Sequence, residues 1–599
     1  MAGAKHAKLS QDEVSRDLMS LRELRRILST LKVWAFCADM VALAVVACAA
    51  SYGYSVSTAI LAGVALVLSV LVHKPSEPSA YARTALAGLL ADGLITRYLV
   101  LAASWLIGLA SGGLVFWIFS ILLAANIAAE LVVKELRYNS MPYVWNLPGI
   151  PNRHDTRLDH GYLYLLNTAA VFVGIFAAAD VTALVAIFGV IVGASAIAAA
   201  IAAIDSVTGN MTRKREERLL PQKLAELAPT FAFYFNAPPN AVFHMGMWLP
   251  YLERVGDPFI IIVRNRRNFN EARAVTDRPV IYRRAREDLD AVITPSLTTV
   301  FYGNLAGKNE HMVWYDHLTH VQMNHGESDK KSSFNPAYRM YDIAFVAGQA
   351  GIDRFHENGV RMFEDAFRIV GRPQVENVER VAADLNDDSP KTVLYAPTWG
   401  GFHGDVSHCS LPVGHDVVGE LLKHGCTVIF RPHPFSYRSR GFTRDIERIQ
   451  DMLREDSRRH GRQHVFGKPA ETDMTIYECF NASNAMVSDV SSVIGDYLFS
   501  EKPFAIVAVA ASGEEFEESF PVSRAGYVID ASTGHAEGLT EAVERLLVID
   551  PLQDRRRELR SYYLGDIAAE GYAQRFVNVA RSVIHSSPAD VTVREHEDV

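Results

Sequence analysis

Between residues 33 and 204 the chain is crowded with Ala, Val, Leu and Ile, whereas the rest mixes apolar and charged residues as a water-soluble protein does. An apolar block of that length restricts the possible folds more than any other feature, because a helix needs only about 20 mostly apolar residues to cross a bilayer. Six stretches are candidate spans: 33–51, 56–72, 98–112, 114–133, 162–179 and 181–204. The third is short, so 98–133 could instead form one long helix; six spans in three hairpins is the preferred count. Basic residues mark one side. They are Lys5, Lys8, Arg16, Arg22, Arg25, Arg26 and Lys32 before the first span, Lys74, Arg83 and Arg97 after the second, Lys134, Arg137, Arg153 and Arg157 after the fourth, and RKREER at 213–218 after the sixth. The intervening turns hold no Lys or Arg. The positive-inside rule then places both termini in the cytoplasm, making a multi-pass membrane protein with a cytoplasmic soluble part.

The leader, 1–32, is polar, with acids among its bases and no early apolar core, which excludes a signal peptide. Its SQDEVSRDLMSLRELRRIL run has helical spacing and suits either an amphipathic helix on the membrane lipids or a solvated one. Asp39 lies at a shallow depth of the first span, where a helix-packing or interfacial role outweighs a functional one. The five cysteines are scattered, with no CxxC or HExxH spacing, so structural zinc and zincin chemistry are not expected and a reducing compartment is. Neither a metal nor any other cofactor is expected. The net charge of −9 argues against nucleic acid as a partner. There is no Walker A sequence and no GxSxG.

The 599 residues exceed one ordinary domain. From about Pro238, apolar runs of four to six residues alternate with helical stretches. AVFHM, FIIIV, PVIY, TVFY, THVQM and IAFVA are candidate strands of a first half. VLYAP, TVIF, HVF, AMVS and PFAIV are those of a second. Strands alternating with helices imply parallel sheets and Rossmann-like halves. VENVERVAADLNDDSPK, at 375–391, is the expected connection. The expected division is a leader at 1–32, a transmembrane helical domain at 33–205, Rossmann-like halves at 206–385 and 386–584, and a disordered tail at 585–599.

Three segments carry chemistry. In AMVSDVSSVIGDYLFSEKP, 485–503, a strand runs into Asp489 and the pair Ser491–Ser492 at the start of a helix. Helix starts carry unpaired N–H groups and partial positive charge, which attract phosphate, although Ser and Asp also cap ordinary helices. VIFRPHP delivers Arg431 and His433 from a strand, and THVQMNHGESDKKSS delivers His325 and Gly326 followed by Lys330 and Lys331. A lone histidine after a strand is more often packed or solvated than catalytic. Two of them, each with basic neighbours and joined by a serine-capped helix, form a constellation at the strand ends, where α/β sheets bind ligands.

VLYAPTW at 393–399, RPHP, SDVSS followed after three residues by Asp496, EKP, and MNHG at 323–326 resemble the CDP-glycerol glycerophosphotransferases of teichoic-acid and related wall-polymer synthesis. The likeness covers roughly the C-terminal three-fifths of the chain. It implies a GT-B-like fold of two Rossmann-like halves facing a cleft, in a bacterial membrane enzyme. It also implies His325 as the base acting on an acceptor bound to the first half, with the second half holding CDP-glycerol or another CDP-polyol. His433 is the second catalytic candidate, facing the donor pyrophosphate with Arg431. Gly326, Lys330, Thr398, Asp489, Ser491, Ser492 and Asp496 complete the expected substrate-binding set. Within it Asp489 orders the turn, since like charges repel, and Asp496 either binds a hydroxyl or supports packing. Lys330 and Lys331 either meet acceptor phosphates or form a solvated loop. The expected acceptor is a lipid-linked saccharide or polymer. The chain departs from the family at Gly400–Gly401, where a basic residue is usual. A nucleotide-sugar glycosyltransferase on the same fold, and a non-catalytic transport or assembly scaffold, are the alternatives.

Overall fold

The computed structural model describes residues 33–72, 93–154, 160–179, 182–238, 240–380, 391–401, 406–548 and 550–586. The leader, most of the 375–391 connection and all but the start of the expected tail lie outside these residues. The chain divides into two compact units. One comprises the residues up to Pro142 together with Arg153–Arg218; the other comprises Tyr143–Asn152 and everything from Leu219.

The first unit holds five apolar helices, α1 (Val33–Tyr52), α2 (Val56–Val72), α3 (Leu94–Ser111), α4 (Leu114–Ser140) and α5 (His160–Ala177), and all but the last turns of a sixth, α6 (Thr182–Leu227). The expected spans agree with α1, α2, α3 and α5 to within a few residues, and those at 114–133 and 181–204 start with α4 and α6, which run on to Ser140 and Leu227. Only α3, α4 and α6 are long and apolar enough to cross a membrane, so length supports three crossings among the described residues where the sequence suggested six. A single helix over 98–133 does not form. Gly112 is extended, and α4 turns back so closely that a Cβ on Gly108 would stand 2.5 Å from the Phe116 ring. Small residues such as Ala42, Ala62, Ala65 and Ala103 pack this core, letting helix backbones approach. Helix α6 has 46 residues, more than twice the length that crosses the roughly 30 Å hydrocarbon layer, so its basic second half continues past the apolar stretch.

Arg97, which the sequence placed in a basic loop, lies inside α3 with its side chain fully buried. Its guanidinium makes two bonds to Glu130, at 2.7 and 2.8 Å, and covers the Tyr164 ring at 4.3 Å. Asn167 donates to Glu130 at 2.6 Å, and Ser195 donates to Asn167 at 2.5 Å. Ser69 and Tyr164 share a bond of 2.8 Å, and Thr96 donates to Asp39 at 2.5 Å. Six helices thus contribute to buried polar contacts, in which Arg97 is matched by Glu130 and the Asp39 carboxyl accepts from a hydroxyl, as a low-dielectric interior requires. Asp39 takes the packing role.

The second unit contains two sheets. The first has eight strands: β1 (Val144–Trp145), β2 (Phe231–Phe235), β3 (Phe259–Val263), β4 (Val280–Tyr282), β5 (Thr299–Tyr302), β6 (Thr319–Gln322), β7 (Ile343–Val346) and β8 (Phe367–Ile369). Their order is β1-β4-β3-β2-β5-β6-β7-β8, and all pairs are parallel except β1 with β4. The second comprises β9 (Thr392–Ala396), β10 (Thr427–Phe430), β11 (Val465–Phe466), β12 (Ala485–Asp489), β13 (Phe504–Ala508) and β14 (Tyr527–Asp530), in the order β11-β10-β9-β12-β13-β14. It is parallel throughout. Helices cover both faces, so strands such as Phe259–Val263 are buried at every position.

One strand expectation fails. AVFHM is not a strand: Phe243–Gly246 form a short helix, and the central position in the sheet belongs to FAFYF (β2), whose five residues are all buried. The last helix, Tyr572–His585, also departs from the expected partition. Its Phe576, Val577, Ala580 and Ile584 pack into the core of the first half, with Phe576 at 5.3 Å from Trp248.

Candidate active site

The loop after β6 carries His325 on a constrained backbone. Asn324 is left-handed (φ +58) and Gly326 has φ +152. Such geometry costs about 1–3 kcal/mol at a non-glycine residue and persists only where surroundings enforce it. Here Trp248 Nε1 donates to the Asn324 carbonyl at 2.6 Å, and the Asn324 side chain accepts from the His325 N–H at 2.8 Å. Downstream, Glu327 accepts from the Ala347 N–H at 2.6 Å, and Arg354 joins Glu327 (3.0 Å) to Asp329 (2.8 Å). That ion-pair ladder fixes the residues leading to Lys330.

His325 keeps its outer face open. Desolvation by the surrounding cleft, with Arg372 adding to it, lowers its pKa to about 4, while a bond to the Gly303 backbone opposes the shift. A ring nitrogen engaged with backbone leaves the other lone pair for proton abstraction. The His244 ring stacks on His325 with centroids 4.0 Å apart and planes at 18°. Across from them lies His433, whose Nδ1 accepts from the Phe435 N–H at 3.1 Å, leaving the proton on Nε2. Burial, then Lys330 and His325, lowers His433 to about 3. Phe243 stands 6.2 Å from His433, edge-on, and Trp399 stacks on its other side at 6.1 Å. Three imidazoles from both halves therefore converge.

The serine-capped helix meets the His-Gly loop directly. Ser491 caps it, accepting from Val493 N–H at 3.4 Å, and a Cβ on Gly326 would come within 2.8 Å of Ser492 Oγ. Glycine is therefore required by packing as well as by φ. Asp489 is fully buried and accepts from the Thr398 N–H at 2.9 and 3.0 Å, and from the Ser410 N–H (2.9 Å) and hydroxyl (2.8 Å). It orders two loops beneath the site, and burial pushes its pKa up to about 6 against the pull of Lys330 and these bonds. Thr398 is itself buried in that latch. The charge of Lys330 acts on both His433 and Asp489, whereas Lys331 points to solvent.

Two expected residues have partners within the protein. Arg431 donates to the Ala470 and Met474 carbonyls, bracing the segment after β11. Asp496 receives Arg372 in two bonds of 2.8 and 2.9 Å and Tyr477 at 3.3 Å. Arg372 thus joins the end of the first half to the serine helix. Sequence reasoning missed His244, Arg372, Asn324 and Trp248. His244 was hidden inside AVFHM, which has the composition of a strand. Among the described residues no cluster of three His, Cys, Asp or Glu side chains is arranged for a metal ion.

Two parallel α/β halves whose strand-end loops converge on one histidine cluster define a GT-B-like enzyme. Residues 317–518, about a third of the chain, match the family described as CDP-glycerol:poly(glycerophosphate) glycerophosphotransferase, which makes this a glycerophosphotransferase-like enzyme. Among solved structures, the wall teichoic acid polymerase TagF is 15% identical, with 64% of this chain and 95% of that one covered and a TM-score of 0.38. A UDP-N-acetylglucosamine 2-epimerase is 12% identical, with 59% and 95% covered and a TM-score of 0.37. An Anabaena protein, HepE, in complex with UDP is 10% identical, with 59% and 99% covered and a TM-score of 0.35. No curated protein matches the sequence.

Proposed function

We propose that the protein transfers glycerol phosphate, or a related polyol phosphate, from a CDP-activated donor to a hydroxyl of a lipid-linked wall or surface polymer at the cytoplasmic face of a bacterial membrane. The convergence of His325 and His433 from opposite halves carries this reading, and the family match over 317–518 supports the donor class. His325 takes the proton of the acceptor hydroxyl. The oxygen attacks the β-phosphorus, the bond from that phosphorus to the bridging oxygen of CMP breaks, and CMP leaves. The barrier is one of positioning and charge. Lys330 supplies positive charge beside His433, whose Nε2–H donates towards the phosphate oxygens. Ser491, Ser492 and the Gly326 loop shape the space where those oxygens bind. Thr398 and Asp489 hold the donor half in register, and Arg431 braces it. Asp496, held by Arg372, fixes the two halves around the cleft. The apolar helices keep the enzyme beside a lipid-borne acceptor, raising its effective concentration.

The test is incubation of the purified full chain, in bacterial membranes, with CDP-glycerol, CDP-ribitol and UDP-sugars. Release of CMP with polyol phosphate appearing in the lipid fraction is expected. Release of UDP from a nucleotide sugar would replace this assignment with glycosyl transfer. Binding without turnover of any donor would point to a scaffold. His325→Ala should lower turnover about 10²–10⁴-fold, the usual contribution of a general base, while donor affinity stays near the parent's. His433→Ala should weaken both.

A further inference from the structure

His244 lies outside the 317–518 family region and follows β2 in the helix Phe243–Gly246, only 6% exposed. Its Nδ1 has no hydrogen-bond partner among the described residues. One face of the ring lies on His325 at 4.0 Å, and Phe243 meets it edge-on at 4.2 Å. Burial, reinforced by His325 and His433, pushes its pKa down to about 2, so it stays neutral throughout the working range. The charged and titratable groups around the pair are few: Arg372 acts on His325, His433 acts on His244, and Lys330 and Arg438 stand behind His433. Among the described residues no carboxylate acts on either ring so as to hold a proton there.

We propose that His244 is a positioning residue for His325, its neutral aromatic face fixing the tilt of the His325 ring so that the nitrogen not engaged with Gly303 is aimed at the acceptor hydroxyl. The proposal rests on His325 being the base. An exposed imidazole held by the single bond to the Gly303 backbone could still tilt about that bond, and an error near 1 Å in placing a catalytic group costs about 10²-fold in rate. When His325 accepts the proton, the resulting imidazolium lies over an uncharged π-face, which tolerates it. A protonated neighbour at 4.0 Å would instead oppose the transfer. Burying His244 in an apolar wall keeps that neighbour neutral.

Two substitutions of similar volume separate the face from the nitrogen. H244L removes the aromatic face, and H244F conserves it without a titrating atom. Turnover is followed as CMP release by the full chain in membranes, and CDP-glycerol affinity by calorimetry. H244L should lose about 10²-fold in kcat with donor affinity unchanged, and H244F should recover most of that loss with the acid limb of the pH profile in place. Equal damage in H244F and H244L would show that the nitrogen itself is used and overturn the positioning role. So would parental turnover in H244L, or a loss of donor affinity with kcat retained. H325A serves as the reference. Parental turnover in H325A would sink the base assignment and this proposal together, whereas loss in H325A with parental turnover in H244L would sink the proposal alone.

Discussion

At the residue scale the histidines set the response to pH. A base works only when unprotonated, and desolvation with Arg372 holds His325 at about 4, so turnover should be flat through neutrality and fall as pH drops through about 4. Stability should respond earlier. His244 and His433, at about 2 and 3 in the fold, take up protons near 6.5 once unfolded. The unfolded state therefore binds more protons between those limits, and stability is lost as pH falls from about 6.5 toward 3. Asp489 has the opposite sign, since its folded pKa of about 6 exceeds the unfolded value near 3.9, and its contribution declines as pH rises through that window. Thermal midpoints of the parent and an H244F/H433F double variant, compared across the acid range, check this: the parent's acid loss should shrink in the variant. An unchanged slope would remove the histidines as its cause. His325 and His433 were legible in the sequence because strand ends and prolines announce them. His244 and Arg372 were not, because a stacked ring and a cross-half ion pair are tertiary facts with no local signature. Asp496 shows the converse: its spacing from Ser492 was visible, but its partner lies 124 residues away.

At the element scale, the turn after β6 and the helix α3 make the sharpest claims. Gly326→Ala combines a φ of +152 with a Cβ driven to 2.8 Å from Ser492. It should cost about 1–3 kcal/mol in stability or, if the halves part to relieve the contact, lower kcat with little change in the far-UV circular dichroism. Parental turnover and parental stability together would mean that the loop is not clamped as described. In α3, Arg97→Leu leaves Glu130 and Asn167 facing an apolar side chain, and unpairing a buried ion pair costs about 3–5 kcal/mol in water-soluble proteins. A chain carrying both Arg97→Leu and Glu130→Leu should regain part of the loss in a detergent-melting assay; if the double variant is worse than the single, charge matching is not what the pair supplies. The sequence read the parallel α/β pattern correctly because buried strands such as FIIIV and FAIVA are short, apolar and β-branched. It misplaced one strand because AVFHM and FAFYF are both plausible strands, and only sheet pairing selects between them. It took Arg97 for a loop residue because a charge in an apolar run signals a boundary unless its partner, here 33 residues on, is known.

At the scale of the whole molecule, the connection between α4 and α5 constrains topology. Tyr143–Asn152 belongs to the catalytic unit: β1 pairs with β4 through Val144 and Trp145, Tyr143 accepts from the Tyr282 N–H at 2.7 Å, and Leu147 and Ile150 are buried in the first half's core with Leu220 and Leu224. A sheet cannot be threaded through a bilayer, because its edge groups would lack partners there. If α4, α5 and α6 all cross a membrane, the end of α4, the start of α5 and the end of α6 are expected to open on the side that carries this sheet, and the basic residues Arg137, Arg153 and Arg213 make the cytoplasm the expected side. Two outcomes follow. A reporter fused after Gly112, in the α3–α4 turn, should read as external, and one fused after Ser586 as internal; an external reading at Ser586 would overturn the orientation and, with it, access to a cytoplasmic CDP-activated donor. A chain beginning at Leu219 loses β1, Tyr143, Leu147 and Ile150 together, and truncating one buried Leu or Ile already costs about 2–5 kcal/mol. Such a chain should aggregate or melt well below the same unit supplied with residues 141–152. If it folds with parental stability and releases CMP from CDP-glycerol, the strand inserted between the apolar helices is dispensable to the catalytic sheet, and topology must be argued from the charges alone.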